Sequence, residues 1–308
     1  MKKLILTLTA AMLAVLGAAA QEAAASGDIL PFIRIDRNPA TTAMAGAGLS
    51  STSAGTDFAY ATFGNGAAVP FMDKHFAAGF SYSMWMPSVS KDMRLRGGIA
   101  AKVGKVIGLT AGFAYGRQQP VEVNGNPFRP YDMLLGGGIS IAAAKCFSLG
   151  ANLKYAHQQF LQNYKLSAIN VDFYAQFHWK DFNLAAGVVG VGPKIMAEEQ
   201  GVKHSLPASV KLAADYVFYF NIMSLQLALD ADYYFSKNYS AAAGFRFGVK
   251  DYVYLRGGYR FASKNCVIPS HLALGLSGGY AGVTLSVSYL TLNKELGNTW
   301  LIGLGYSF

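Results

Sequence analysis

From His75 to the carboxyl terminus the chain divides into fourteen stretches in which apolar residues alternate with small or polar ones. They run over residues 75–86, 93–103, 106–118, 130–144, 147–160, 165–178, 181–192, 205–220, 222–236, 238–249, 251–262, 270–280, 282–293 and 297–308. A period of two places successive side chains on opposite faces of a β-strand. Most of the stretches reach the ~9–11 residues that a tilted strand needs to cross a hydrocarbon core. An even number of such strands, one face apolar and the other mixed, predicts an all-β fold: a 14-stranded antiparallel transmembrane β-barrel over residues 75–308.

The outward faces are legible in several strands. Leu225, Leu227, Leu229, Ala231, Tyr233 and Phe235 share one parity, as do Tyr239, Ala241, Ala243, Phe245, Phe247 and Val249, and then Val283, Leu285, Val287 and Tyr289. Aromatic residues gather toward strand ends, as in the interfacial girdles of membrane barrels. The last stretch, GNTWLIGLGYSF, ends in Tyr-x-Phe and resembles the signal by which bacterial outer-membrane barrels are recognised for insertion.

Composition agrees with this reading and excludes others. Hydrophobic residues make up 52% and charged residues only 14%, yet beyond residue 20 no apolar run approaches the ~20 residues of a spanning helix. Lys2 and Lys3, the apolar run from Leu4 to Leu16 and Ala18-Ala19-Ala20 form a secretory signal peptide over residues 1–20. Removing the two lysines lowers the formal net charge of +9 by two, to +7. With no Lys/Arg cluster on any one element, nucleic acid is not an expected partner, whereas outer-membrane lipid is.

Residues 21–74 lack sustained alternation and are rich in Ala, Gly, Ser and Thr. Ahead of a barrel, such a segment is expected to fold into the lumen as an amino-terminal hatch. Links between strands alternate in length. Those near Gly104-Lys105, Ala144-Cys146, Lys180-Asp181, Asn221, Lys250-Asp251 and Ala281 are tight, and the intervening ones, Lys237 excepted, are mostly longer. Short turns face the periplasm in outer-membrane barrels, so both termini are expected there, with Cys146 and Cys266 at opposite ends and unpaired.

Arg94, Arg96, Lys102, Asp172, Lys211, Asp215, Asp230, Asp232, Arg246, Arg256 and Arg260 fall on the inward parity. Asp230, Asp232, Arg246, Arg256 and Arg260 lie on neighbouring strands and are expected to form a charge network across the lumen wall, either as structural pairs or as a selectivity path. His178 and His271 share the inward parity, but no nucleophile motif or ligand spacing accompanies them. Neither catalysis nor a metal or other cofactor is expected. Partner-binding residues are sought on the outer loops: Trp85, Pro87, Phe128, Ile195 and Met196.

The stretch LPFIRIDRNPATTAMAGAGLSSTSAGTDFAYATFGNGAAVPF resembles the opening of the PorV/PorQ family, FadL-like outer-membrane barrels of Bacteroidota. Met44, Gly46, Ala47 and Gly48 match its Met-Gly-x-Ala-Gly part, and Asn65 stands where the family has Trp-Asn-Pro-Ala, replaced here by Phe63-Gly64-Asn65-Gly66-Ala67-Ala68. SYSMWMPSVSKD, GVVGVGPKI, SLPASVKLAADY, YLRGGYRFASK and the last hairpin are similar to later segments, in the same order. The resemblance implies a non-enzymatic barrel of the type IX secretion system that binds and shuttles secretion cargo. The alternatives are a FadL-like channel taking up a small hydrophobic ligand and a structural subunit of another envelope complex.

Overall fold

A computed structural model describes residues 28–308 except 36–37, 54, 86, 89–90, 124–125, 162–163, 197–202, 251 and 293–296. The signal-peptide reading lies outside these residues. Fourteen antiparallel strands form one closed barrel. In chain order they are β1 (Phe76–Trp85), β2 (Asp92–Val103), β3 (Ile107–Arg117), β4 (Tyr131–Ala144), β5 (Phe147–Leu161), β6 (Tyr164–Trp179) and β7 (Phe182–Val191). The second half comprises β8 (Ser209–Phe220), β9 (Met223–Tyr234), β10 (Tyr239–Val249), β11 (Val253–Ala262), β12 (His271–Tyr280), β13 (Val283–Thr291) and β14 (Thr299–Ser307). Each strand pairs with its sequence neighbours, and β1 closes on β14 from Ala77↔Ser307 to Met84↔Trp300.

Parity decides which face each side chain takes. Leu227, Leu229, Tyr233, Tyr239, Phe245, Val283 and Leu285 are exposed on the outside, while Gln226, Asp232, Arg246 and Ser286 between them are buried inside. Large apolar side chains are exposed around the ring, among them Phe80, Ile99, Leu109, Ile139, Ile169 and Leu304. An apolar band of this extent is stable in hydrocarbon and not in water. The barrel is an outer-membrane protein.

One end of the barrel carries only tight turns. Gly104, Lys180, Asn221, Lys250, Ala281 and Gly282 there have positive φ, which lets a short link reverse the chain in the hand that strand twist requires. That end, which includes Phe308 hydrogen-bonded to Phe76, faces the periplasm by the turn-length rule. The other end carries the longer links, two of which fold back as small hairpins, Val121–Val123 with Asn126–Phe128 and Ile195–Met196 with Lys203–His204. Cys146 and Cys266 lie at opposite ends, and both are free.

The described residues between 28 and 72 lie inside the ring. A 3₁₀ turn at Pro31–Arg34 is followed by a five-residue helix α1 (Pro39–Ala43) and 3₁₀ segments at Gly55–Phe63 and Gly66–Phe71. Asn38 starts the helix, its Oδ1 accepting from the Ala40 N–H at 2.9 Å, and Pro39 needs no partner at the first position. Leu30, Phe32, Ile33 and Ile35 pack with the inward Trp85, Leu134, Leu166 and Leu290 near the long-loop end. Phe58, Tyr60, Val69 and Met72 pack with Ala77 and Ala100 near the periplasmic end.

Small wall residues make room for this plug. A Cβ built on Gly98 of β2 would stand 2.2 Å from the Ala59 carbonyl oxygen, and one on Gly258 of β11 would stand 2.4 Å from that of Met44. Gly79, Gly136, Gly150, Gly244, Gly275 and Gly303 meet the plug in the same way. The inward glycines of the wall are the seat on which residues 39–69 rest.

Candidate functional site

The site is a space between plug and wall in the lumen, a cavity of about 180 Å³. Ile33, Ile35, Met44, Phe58 and Phe63 of the plug give it apolar surface, joined by Val189 and Ile268 from the barrel. Arg34, Lys154, Lys211, Arg246, Arg256 and Arg260 line it as cations, with Asp57, Asp172 and Asp230 among the anions. Tyr60 also lines it; burial pushes its hydroxyl up to about 12, so it adds no charge at neutral pH.

The stretch around Met44, Gly46, Ala47 and Gly48 works through its backbone. Met44 closes α1, and Ala45, Gly46 and Gly48 have φ of 56°, 92° and 102°, a curl that turns consecutive N–H groups to one side. The Gly48 and Leu49 N–H groups donate to the two carboxylate oxygens of Asp230 at 2.8 and 3.1 Å. The φ of Gly46 disfavours any side chain there, and a Cβ would also stand 2.6 Å from Arg260 Nη1. Met44 and Ala47 pack on Ala228 and Ala242 of β9 and β10.

Asn65 fastens the second half of the plug. Its Oδ1 caps the 3₁₀ turn at Ala67 N (3.0 Å), while its Nδ2 donates to Gln176 Oε1 on β6 (2.6 Å) and to the Leu49 carbonyl (3.2 Å). Asn65→Ala leaves the buried Gln176 oxygen short of a donor, a loss of about 1–3 kcal/mol. We expect hydrogen exchange over residues 61–72 to quicken while the strands keep their protection. Equal loosening of the strands would show that Asn65 supports the whole barrel.

The expected lumen charges are brought together only in part. Asp232 takes Arg260 Nη2 at 2.8 Å and Lys211 Nζ at 2.7 Å, a three-membered cluster across β8, β9 and β11. Asp230, two residues away, is held by plug backbone rather than by an arginine. Arg246 donates to the Ser53 carbonyl (3.1 Å) and hydroxyl (2.6 Å) and lies beside the Tyr254 ring. Arg256 reaches Asp57 of the plug at 3.6 Å and donates to Ser277. The charges therefore join plug to wall more than wall to wall. Parity alone could not show this, since the partners Ser53 and Asp57 lie in the segment that has no period.

Other sets were not anticipated as sets. Lys154 of β5 pairs with Asp172 of β6 at 2.5 Å, and Arg94 with Asp132 and Asp92 at 3.0 and 3.1 Å. Asp215 accepts from Ser50, Asn183 and Gln226 at 2.5, 3.0 and 2.8 Å. His178 bonds to Asn183 and His271 to the Pro269 carbonyl. Among the described residues no His, Cys, Asp or Glu group has the geometry of a metal site.

The residues sought on the outer loops divide. Trp85 is no surface residue: it ends β1 on the inward parity, is 6% exposed and packs against the plug's apolar end. Phe128 is half-buried in its hairpin, as is Pro87 in its turn. Ile195 packs against the buried cluster at the long-loop end, while Met196 beside it is 56% exposed.

No protein-family model and no curated protein matches the sequence. Solved structures do match in shape. The CymD monoaromatic hydrocarbon channel is 10% identical, over 88% of this chain and 97% of that one, with a TM-score of 0.64. The Pseudomonas putida toluene transporter TodX is 13% identical over 88% and 97%, with a TM-score of 0.60. A Pseudomonas aeruginosa FadL homologue is 12% identical over 88% and 95%, with a TM-score of 0.56. At such identities the likeness is one of fold: this chain has a FadL-like outer-membrane barrel.

Proposed function

We propose that the protein is a non-enzymatic outer-membrane channel for a small molecule with one ring or a short chain and a polar group, gated by its amino-terminal segment. The chamber between plug and wall carries this reading. Its volume of about 180 Å³ exceeds the roughly 150 Å³ that suffices for benzene in an apolar cavity. Apolar plug residues offer contact for a ring, and the charged wall offers partners for a polar group. The fold neighbours are named for toluene and monoaromatic hydrocarbons, molecules of this size. On this reading the chain divides into a signal peptide (1–20), a hatch (21–74) and the barrel (75–308).

Proteoliposomes holding the mature chain are expected to take up a single-ring compound such as toluene or benzoate faster than empty vesicles, and saturably. Ala61→Trp, which fills the chamber from the plug, is expected to slow that uptake. Uptake no faster than through empty vesicles would overturn the channel reading.

A second reading, the shuttling of type IX secretion cargo, is favoured by the ordered PorV/PorQ resemblance and by the hairpins at residues 121–128 and 195–204 with exposed Met196. Affinity purification from the native outer membrane in mild detergent separates the two. Co-purified secretion components support the shuttle; a barrel that comes down alone with a small molecule supports the channel.

A further inference from the structure

The fourteen strands keep nearly all their cations inside. Arg94, Arg96, Lys154, Arg246, Arg256 and Arg260 are buried, and Lys102 and Lys211 are half-buried in the lumen. Among the described lysines and arginines of the strands, only Arg117 and Lys165 are exposed. The register puts these two in one row. Arg117 on β3 stands opposite Tyr131 on β4, Tyr131 opposite Gln159 on β5, and Gln159 opposite Lys165 on β6. Three strand spacings of ~4.8 Å separate the ends of the row by about 14 Å.

The row lies at the long-loop end of its strands, on the lipid side. One pleat toward the middle of the membrane stand Tyr115, Met133, His157 and Ser167, and one pleat further Phe113, Leu135, Tyr155 and Ile169. Within two steps the surface passes from apolar to mixed to cationic. Hydrogen bonds hold the middle step together: Tyr131 Oη lies 3.3 Å from His157 Nε2, His157 Nδ1 lies 2.8 Å from Ser167 Oγ, and Tyr155 donates to Ser167 at 3.2 Å. Beyond β3 the same row continues through Met93, Met84 and Trp300, which carry no charge. On that side the cationic row ends at Arg117. Arg129 is exposed just above it, with Glu122 the acidic residue on that arm.

An isolated cation at this depth would only extend to water. Two of them at fixed ends of one row, with a phenol and an amide between, match a headgroup that is anionic at both ends. We propose that the outer face of β3–β6 binds the phosphorylated glycolipid of the outer leaflet. Arg117 and Lys165 each take one phosphate, Tyr131 and Gln159 face the sugars, and Phe113, Leu135 and Ile169 receive the acyl chains. Guanidinium and ammonium both bind phosphate through charge-assisted hydrogen bonds. This site is separate from the lumen and stands whether or not the channel reading does.

Native mass spectrometry of the full mature chain in detergent tests it, with bisphosphoryl lipid A, monophosphoryl lipid A and phosphatidylglycerol as competing probes. Bisphosphoryl lipid A is expected to bind best, and Arg117→Glu with Lys165→Glu to weaken it about tenfold or more. Lys237→Glu, on another outer loop, is expected to leave it unchanged. Heat-dependent gel mobility reports folding; should the double glutamate variant fail to fold, Arg117→Gln with Lys165→Gln is measured in its place. Undiminished binding by the folded double variant, or phosphatidylglycerol binding as well as bisphosphoryl lipid A, would overturn the proposal.

Discussion

Asp232→Ala is expected to lower the unfolding free energy by about 3–5 kcal/mol, the range for removing one partner from a buried ion pair. Asp232 is 6% exposed, and it accepts from Arg260 and Lys211, and from the Tyr234 and Ser240 hydroxyls at 3.3 Å each. Without it, Lys211 on β8 and Arg260 on β11 lose the carboxylate that they share in the lumen. Urea titration of the barrel folded into lipid vesicles measures the change. Asp232→Asn keeps the acceptor oxygen and loses the charge, so its loss should fall between zero and that of alanine. A loss for Asp232→Ala below about 1 kcal/mol would mean that lumen water screens these charges as it does surface pairs.

Gly98→Val is expected to have the largest effect on the plug. Both flanks of β2 are paired, from Gly79↔Gly98 on one side to Gly98↔Gly112 on the other, so the wall cannot retreat from a new side chain. The added Cβ overlaps the Ala59 carbonyl, a backbone atom that no rotamer change moves aside. Overpacking of this kind typically costs about 1–3 kcal/mol and occasionally more, and here it falls on the seating of residues 55–63. Planar-bilayer conductance should rise and proteolysis within residues 55–72 should quicken, while heat-dependent gel mobility still reports a folded barrel. Gly137→Ala is the control, since a Cβ there meets its nearest neighbour, the Thr110 carbonyl, at 3.6 Å. Unchanged conductance in Gly98→Val would show that the segment yields without leaving its seat.

The strands were legible because each repeats a simple physical alternation. Leu227, Asp230, Asp232 and Arg246 take their expected sides because a residue in a strand between lipid and lumen has only two sides to choose from. Trp85 was misplaced for a related reason. Being aromatic and next to a loop, it reads as a rim residue, yet its odd position in β1 turns it inward, where Leu30 and Phe32 need a partner. The plug has no period, so its contacts could not be read. The carboxylate of Asp230 waits on the backbone of Gly48 and Leu49, nearly two hundred residues away in sequence, and nothing in either stretch names the other. One signal in the strands does mark it: glycine at inward parity shows where a second backbone comes close.

The pairing of β1 with β14 carries a consequence for how the molecule is assembled. Ala77 and Ser307 are neighbours in the seam although more than two hundred residues separate them, whereas every other seam joins strands close in sequence. The thirteen local pairings can zip up as hairpins, but the last must wait for the whole chain, and loop closure over that distance is the slow step. Residues 28–72 lead directly into β1, so they are on hand before that step, and the wall they rest on spans both sides of the seam: Gly79 on β1, Gly303 on β14. In the closed barrel the plug thus straddles the one seam that sequence proximity does not favour, with Ala59 and Tyr60 against β1 and Pro39 against β14.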